Sequence, residues 1–160
     1  MSEPKIAIRE MSIADYDDLV NLWDACEGIV LRPEDSREGL ARFLQRNPGL
    51  SLVARLDTGS LRRIVGENVG ANVGRDVGRI VGGVLCGHDG RRGTIRHLAV
   101  MPGHRRRGIG RRLVEQCLGR LRAEGIVGCN AFIHRENPEA VEFWIRTGWG
   151  DREDLRMISR

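Results

Sequence analysis

The stretch from His97 to Leu113 constrains the fold more than any other part of this chain. It consists of an apolar strand, a short basic turn with two glycines, Gly108 and Gly110, and then a helix. Such a turn directs several backbone N–H groups one way at the positive end of the helix, where anions bind. The glycines leave room for a phosphate to reach the backbone, and the neighbouring arginines add positive charge. The sequence therefore predicts a phosphate-binding turn.

The spacing of this turn differs from that of two other common phosphate loops. The chain contains no Gly-x-x-x-x-Gly-Lys-Ser/Thr run, and the turn is not Gly-x-Gly-x-x-Gly because position 113 is leucine. The turn therefore indicates neither an NTP-binding loop nor a dinucleotide-binding loop.

Two separated motifs resemble those of the GNAT superfamily of N-acetyltransferases. Arg105-x-x-Gly108-x-Gly110, after Leu98-Ala99-Val100 and Pro102, is similar to the acyl-CoA signature of that superfamily. Further along, the segment from Asn137 to Trp149 resembles its Asn-x-x-Ala-x-x-Phe-Tyr-x-x-x-Gly-Phe run. Residues 79–149 carry the resemblance, and residues 5–57 fit as its front end.

The resemblance implies an α/β fold of the GNAT type. This fold has a mixed, mostly antiparallel central sheet of six to seven strands, flanked by about four helices. The implied activity is transfer of an acetyl group from acetyl-CoA, the cosubstrate, to a primary amine of a small molecule or a peptide N-terminus. The resemblance also implies a set of cofactor-binding residues: Leu98 and Val100 beside the pantetheine arm, Arg105, Arg106, Arg107, Gly108, Ile109 and Gly110 around the pyrophosphate, and Asn137.

The chain departs from the family at both positions that usually handle protons. Trp144 stands where a tyrosine often protonates the leaving thiolate, and Phe132 stands where related enzymes carry a glutamate base. His134 lies two residues beyond Phe132 and so shares its side of the predicted strand, which makes it the candidate catalytic residue. His97 should face the other side of its own strand from Arg96 and Leu98.

Two other functions stay open at this point. The losses at Trp144 and Phe132 favour a degenerate acyl-CoA-binding module that acts as a sensor or scaffold without turnover. The arginines between Arg91 and Arg112 could instead bind nucleic acid, but the few dispersed aromatic residues disfavour stacking on single strands.

Composition narrows the class of protein. A length of 160 residues suits one N-acetyltransferase domain over residues 1–160, and a net charge of +4 suits an anionic cosubstrate. Four scattered cysteines and four histidines show no metal-ligand spacing, so no metal is expected. No apolar run is long enough to span a membrane and no signal segment is visible, so a cytoplasmic location is expected. A homodimer is left open.

Hydrophobic patterning predicts alternating strands and helices, as in a mixed α/β domain. Ser12 and Asp15 are typical of a helix start, and Pro33–Ser36 begins a second helix. The predicted strands are 5–10, 50–56, 79–86, 94–100, 126–134 and 155–158, and the predicted helices end near Gly28, Asn47, Glu124 and Thr147.

Residues 63–82 form five consecutive tetrapeptides that each end in Val-Gly. A glycine at every fourth position weakens both helix and strand, and long loop insertions cost little closure entropy. We therefore interpret about 58–78 as an insertion in an ordinary loop, loosely extended or disordered, with a partner-binding arm as the alternative.

Overall fold

The computed structural model describes residues 5–57 and 78–160. Four α-helices and five β-strands lie in these two ranges. The strands are β1 (Ile6–Glu10), β2 (Leu52–Leu56), β3 (Ile80–His88), β4 (Gly93–Val100) and β5 (Cys129–Ala131). The helices are α1 (Tyr16–Asp24), α2 (Arg37–Arg46), α3 (Ile109–Ala123) and α4 (Pro138–Arg146). The predicted insertion at about 58–78 lies outside the described residues except for Gly78, and the last Val-Gly tetrapeptide, Arg79–Gly82, leads into β3.

The strands form one mixed sheet in the order β1-β2-β3-β4-β5. Neighbouring strands are antiparallel from β1 to β4, and β4 and β5 are parallel. The described residues thus confirm a mixed, mostly antiparallel sheet with four flanking helices. The expected count of six to seven strands is wrong for this part of the chain.

Two predicted strands account for the difference. The strand expected over 126–134 shortens to Cys129–Ala131, because only these three residues pair with β4. The strand expected at 155–158 does not form, and Leu155, Met157 and Ile158 are all exposed. An apolar alternation specifies a strand only where a neighbouring strand supplies the hydrogen bonds, and neither segment has that neighbour along its length.

The helices cover both faces of the sheet, and each face has its own hydrophobic core. Helices α3 and α4 enclose one core with residues that include Ala54, Val81, Val84, Ile95, Ile109, Leu113, Cys117, Leu121 and Trp144. Helices α1 and α2 enclose the other with residues that include Leu19, Leu22, Trp23, Leu40, Val53, Ile80, Leu85 and Ala99. Strand β3 lies between them, and it packs closely because Gly82 and Gly83 face Ile109 and Leu19 without a Cβ.

The start of α1 follows the predicted capping pattern. The Ser12 N–H donates to Asp15 Oδ2 at 2.9 Å, and a single 3-10 turn over Ile13–Asp15 leads into the helix. The helix ends at Asp24, four residues before the predicted stop at Gly28. Helix α2 starts from Ser36, whose hydroxyl accepts from the Gly39 N–H. These two helix starts are confirmed.

Asp15 links this helix start to β1, and its ionisation should govern part of the acid stability. Burial alone would raise the pKa of Asp15, but hydrogen bonds from the Arg9 guanidinium at 2.7 and 2.8 Å and from the Ser12 N–H outweigh it and lower the pKa. A lowered native pKa means that the ionised form stabilises the fold at neutral pH, and this contribution is lost as the pH falls through that pKa.

We therefore expect Asp15→Asn to lower the free energy of unfolding at pH 7 by about 1–3 kcal/mol. The difference from wild type should shrink as the pH approaches 3. Urea unfolding across this range measures both effects, and Asp17→Asn serves as the control because the Asp17 carboxylate is 82% exposed. A difference that is independent of pH would contradict this account.

Candidate functional site

The turn between β4 and α3 has an unusual backbone. After Val100 a short 3-10 helix over Pro102–His104 reverses the chain, and α3 begins at Ile109. Within this turn Arg106 has φ +63° and Gly108 has φ +72°, both left-handed, whereas Arg105 is extended with φ −68°. Left-handed residues within such a turn bring successive N–H groups toward one point, a concavity that binds anions.

These N–H groups have no partners in the part of the chain that the structure describes. The backbone N–H groups of Arg106, Gly108, Ile109, Gly110 and Arg111 donate no hydrogen bond within residues 5–57 and 78–160. The first intrahelical bond of α3 runs from the Arg112 N–H to the Gly108 carbonyl at 3.0 Å. A Cβ placed on Gly108 would have no atom within 4 Å, so the space before these donors is open. A phosphate fits this arrangement of donors and space.

The arginine side chains of the turn surround the same place. Arg105 and Arg106 are exposed. The Arg105 Nε donates to the Val100 carbonyl at 3.1 Å, and its Nη1 lies 3.8 Å from Glu139 at the start of α4. Arg107 Nη1 lies 3.1 Å from His104 Nδ1. The predicted group Arg105–Gly110 is therefore brought together on one surface, with Arg105 bridging the turn to α4.

Beside this turn, the end of β4 has an unpaired edge, which no strand of the described residues covers. The pairing of β4 with β5 ends at Ile95 opposite Ala131, so β4 diverges from β5 beyond that point. Leu98 and Val100 follow in this diverging part and are half-buried against the core under α3 and α4. A linear chain of amide and methylene groups could lie along such an edge and hydrogen-bond to it, as a further strand would.

Asn137 lies at the N-terminus of α4, where its side chain already makes two contacts. Its Oδ1 accepts from the Ala140 N–H at 3.1 Å, which caps the helix, and its Nδ2 donates to the Glu27 carbonyl at 3.5 Å. Gly28, with φ +84°, lies so close that a Cβ there would be 2.2 Å from Asn137 Nδ2. Asn137 therefore links the segment after α1 to the start of α4.

The sequence-predicted proton-handling residues lie in different surroundings. His134 is exposed on the irregular segment after β5. Phe132 is 46% exposed, with the Arg96 guanidinium 4.6 Å above its ring. Trp144 is only 6% exposed and packs against Trp149 with ring centroids 4.6 Å apart. Among the described residues, no contact joins His134 to the phosphate turn.

The cysteines are unsuited to nucleophilic chemistry. Cys86 and Cys117 are buried together in the core, and the interaction with Cys86 together with burial raises the pKa of Cys117. Burial raises the pKa of Cys129 to about 11. A thiol with a raised pKa has little thiolate at neutral pH and reacts slowly. Within the described ranges no group of three His, Cys, Asp or Glu side chains could hold a metal ion.

Along residues 5–57 and 78–160, every helix is too short or too polar to cross a bilayer.

The sequence did not predict the surroundings of His97. The residue has φ +51° and its ring contacts Asp35 and Trp23 rather than solvent alone. Histidine is one of the residue types enriched in the left-handed region, which is the one signal that the sequence offered. The Asp35 contact crosses more than sixty positions of sequence, so no local pattern could reveal it.

Comparison with known proteins places this geometry in a family. The model of the acetyltransferase (GNAT) family matches residues 16–149. An acetyltransferase of Yersinia enterocolitica is 26% identical over 154 residues, which cover 96% of this chain and 94% of that protein.

Solved structures share the fold. The PaiA N-acetyltransferase of Thermoplasma acidophilum, in complex with coenzyme A, superposes with a TM-score of 0.68 at 19% identity and covers 93% of this chain and 92% of its own. An aminoglycoside N-acetyltransferase in complex with CoA gives a TM-score of 0.70 at 15% identity, with 99% and 97% covered.

Proposed function

Because this chain belongs to the GNAT acetyltransferase family, we propose that it moves the acetyl group of acetyl-CoA to a primary amine of a small molecule or a peptide N-terminus. The observation that carries the proposal is the turn at the start of α3, where five N–H groups have no hydrogen-bond partner among the described residues. Acetyl-CoA is the cosubstrate of this family, and its pyrophosphate matches those donors in charge and shape.

In this proposal the cosubstrate follows the end of β4. The pyrophosphate lies against the N–H groups of residues 106–111, with Arg105, Arg106 and Arg107 around it. The pantetheine arm runs back along the unpaired edge of β4, past Val100 and Leu98. Asn137, at the start of α4, is the further residue that the family resemblance assigns to the cosubstrate. Burial of Ile109 and the close approach of Gly110 to Phe143 hold the turn against the rest of the fold.

The site must position the thioester of acetyl-CoA and polarise its carbonyl group. The neutral amine attacks the acetyl carbon, the C–N bond forms, and the C–S bond breaks as the CoA thiolate leaves. Ordinary thiols have a pKa of about 8.5, so the thiolate can leave without a strong acid. Trp144 has only an indole N–H and is packed into the core, so we assign it no role in this proton transfer.

His134 is the residue that the sequence proposes for removing the proton of the acceptor amine. Its exposed position leaves the ring free to exchange protons with water. Histidine is the side chain that most often acts as a general base in enzymes. His134→Asn in the acetyl-transfer assay tests this role.

Thiol release from acetyl-CoA tests the function. We expect free CoA to appear only when an amine is added, in step with an acetylated product detected by mass spectrometry. The panel comprises putrescine as an aliphatic diamine, neamine as an aminoglycoside and a short peptide with an N-terminal alanine. Acetyl-CoA without amine is the control for hydrolysis.

Two outcomes would count against the proposal. Tight CoA binding by calorimetry without acetylation of any panel amine would favour the acyl-CoA-binding module, to which Trp144 and Phe132 also point. Absence of CoA binding would contradict both functions.

A further inference from the structure

The pairing of β3 with β4 contains an extra residue at His97. Gly83 lies opposite Ala99 and Leu85 lies opposite Arg96, so a step of two residues in β3 faces a step of three in β4. His97 lies in this bulge with φ +51°. Bulges redirect side chains and recur beside active sites. The bulge interrupts the regular alternation of side chains between the two sides of β4. The prediction that Arg96 and Leu98 share one side assumed that this alternation was unbroken.

The bulge directs the His97 ring into a polar pocket in the core under α1 and α2. Its Nε2 lies 2.9 Å from Asp35 Oδ1, and the His97 and Asp35 side chains are 20% and 10% exposed. The ring meets Trp23 edge to face, with centroids 5.1 Å apart. Nε2 is buried, and Asp35 Oδ1 lies off the line that a hydrogen bond from it requires. The Trp23 Nε1 is also buried without a partner among the described residues.

Two buried ring nitrogens without a hydrogen bond among the described residues, Trp23 Nε1 and His97 Nε2, are rare in folded proteins and call for an explanation. A histidine that served only packing could be replaced by an apolar ring at lower cost, since burying an unpaired polar atom is unfavourable. One ring nitrogen of His97 faces a carboxylate, and the other can accept a proton from a ligand. Nδ1 is not buried, and the described residues offer it no hydrogen bond.

Asp35 is itself held in place by two contacts. Its Oδ2 accepts from the Arg32 N–H at 2.9 Å, and its backbone carbonyl accepts from the Tyr16 hydroxyl at 3.0 Å. The carboxylate is the charged group in contact with the ring among the described residues, and Tyr16 and Trp23 are the α1 side chains beside it. Asp35 can therefore orient the His97 ring.

His97 also lies where the proposed cosubstrate would end. Ile95 is the last residue of β4 that pairs with β5, and His97 comes two residues after it. Val100 comes three residues after His97. At about 3.3 Å per residue, a pantetheine arm that starts at the phosphate turn and follows β4 reaches the bulge within about 10 Å of Val100. The thioester would therefore lie beside His97.

From this geometry, and resting on the proposed function, we propose that His97 is a catalytic base for the acceptor amine and that Asp35 is its positioning residue. Nδ1 of neutral His97 takes a proton from the acceptor ammonium, and the free amine attacks the acetyl carbon. When the C–S bond breaks, the CoA thiolate takes the second proton from the nitrogen. His97 then returns its proton to water, so that one ammonium and acetyl-CoA yield one amide, CoA and one proton.

The kinetic test uses the panel amine among putrescine, neamine and the alanine peptide that is acetylated fastest. His97→Asn keeps a residue that tolerates positive φ, and it should lower kcat/KM by about 10²–10⁴-fold while CoA affinity by calorimetry stays unchanged. Asp35→Asn should lower kcat and leave the KM for acetyl-CoA unchanged, because the ring loses the carboxylate that orients it. A merely structural role for Asp35 would not confine the loss to kcat.

The chain offers a matched control and a direct comparison. His88 forms a second histidine–carboxylate pair, with Glu124 at 2.8 Å, and His88→Asn should leave acetyl transfer unchanged. His134→Asn measures the candidate from the sequence in the same assay. Wild-type kcat/KM and an unchanged pH profile in His97→Asn would overturn the assignment.

A second readout does not depend on turnover. Nitrogen-15 NMR of the four histidine rings, each assigned by one substitution, should show His97 with its proton on Nε2, and that proton should redistribute between Nε2 and Nδ1 in Asp35→Asn. An identical distribution in both proteins would overturn the pair. Failure to acetylate any panel amine would instead contradict the proposed function, and the position of the ring proton would still decide the pair.

Discussion

Replacing Gly108 by valine should weaken CoA binding by at least about 100-fold. Gly108 has φ +72°, a conformation that a β-branched residue adopts only under strain, so valine would rotate the turn and misdirect the N–H groups of its neighbours. A hydrogen bond to a charged group is worth about 1.5–3 kcal/mol, so two misdirected donors suffice for this loss. Isothermal calorimetry with CoA measures it.

Gly125 supplies a matched control for this substitution. It follows the other end of α3 with φ +81°, and a Cβ there would likewise have no atom within 4 Å. Gly125→Val should therefore lose a similar amount of stability, about 1–3 kcal/mol, and keep its CoA affinity. Equal CoA affinities in the two variants would show that the turn is not the phosphate site.

Replacing Trp144 by alanine should lower the free energy of unfolding by about 3–5 kcal/mol. The ring is 6% exposed and is in edge-to-face contact with both Phe143 and Trp149, at 5.4 and 4.6 Å between centroids. It belongs to the core under α3 and α4, so its loss opens a cavity between α4 and the sheet.

Urea unfolding measures this effect, with Ile145→Ala as the control. Ile145 is the next residue of α4 and is 50% exposed, so its truncation should cost less than about 1 kcal/mol. Equal losses at the two positions would contradict the packing role. In that case Trp144 would again be open to a role in the chemistry at the position where the family often carries a tyrosine.

Local chemistry explains which parts of this fold were predictable. The capping of α1 and α2, most of β3 and the strand–turn–helix around Gly108 depend on neighbouring residues, and the sequence predicted them. The strand predicted over 79–86 extends to His88 in the structure. The left-handed conformation of Arg106 escaped prediction because arginine rarely adopts it. The loss of the expected C-terminal strand followed from a missing partner strand, which no property of Leu155 or Ile158 encodes.

The same distinction between local and long-range contacts applies to the candidate site. The donors of the phosphate turn are close in sequence, so their convergence could be expected from the glycines and arginines alone. The Asp35–His97 contact joins the segment before α2 to a bulge in β4. Alternation along a regular strand cannot predict a bulge. The sequence therefore indicated His134, and not His97, as the candidate catalytic residue. The roles of His134 and Asn137 stay predictions.

Titration of nitrogen-15-labelled protein with acetyl-CoA tests the central claim most directly, because it reads each backbone N–H group separately. The account predicts that the amide signals of Arg106, Gly108, Ile109, Gly110 and Arg111 shift together and saturate at one affinity, while that of Gly125 does not move. Saturable binding that leaves these five amides unshifted would contradict it.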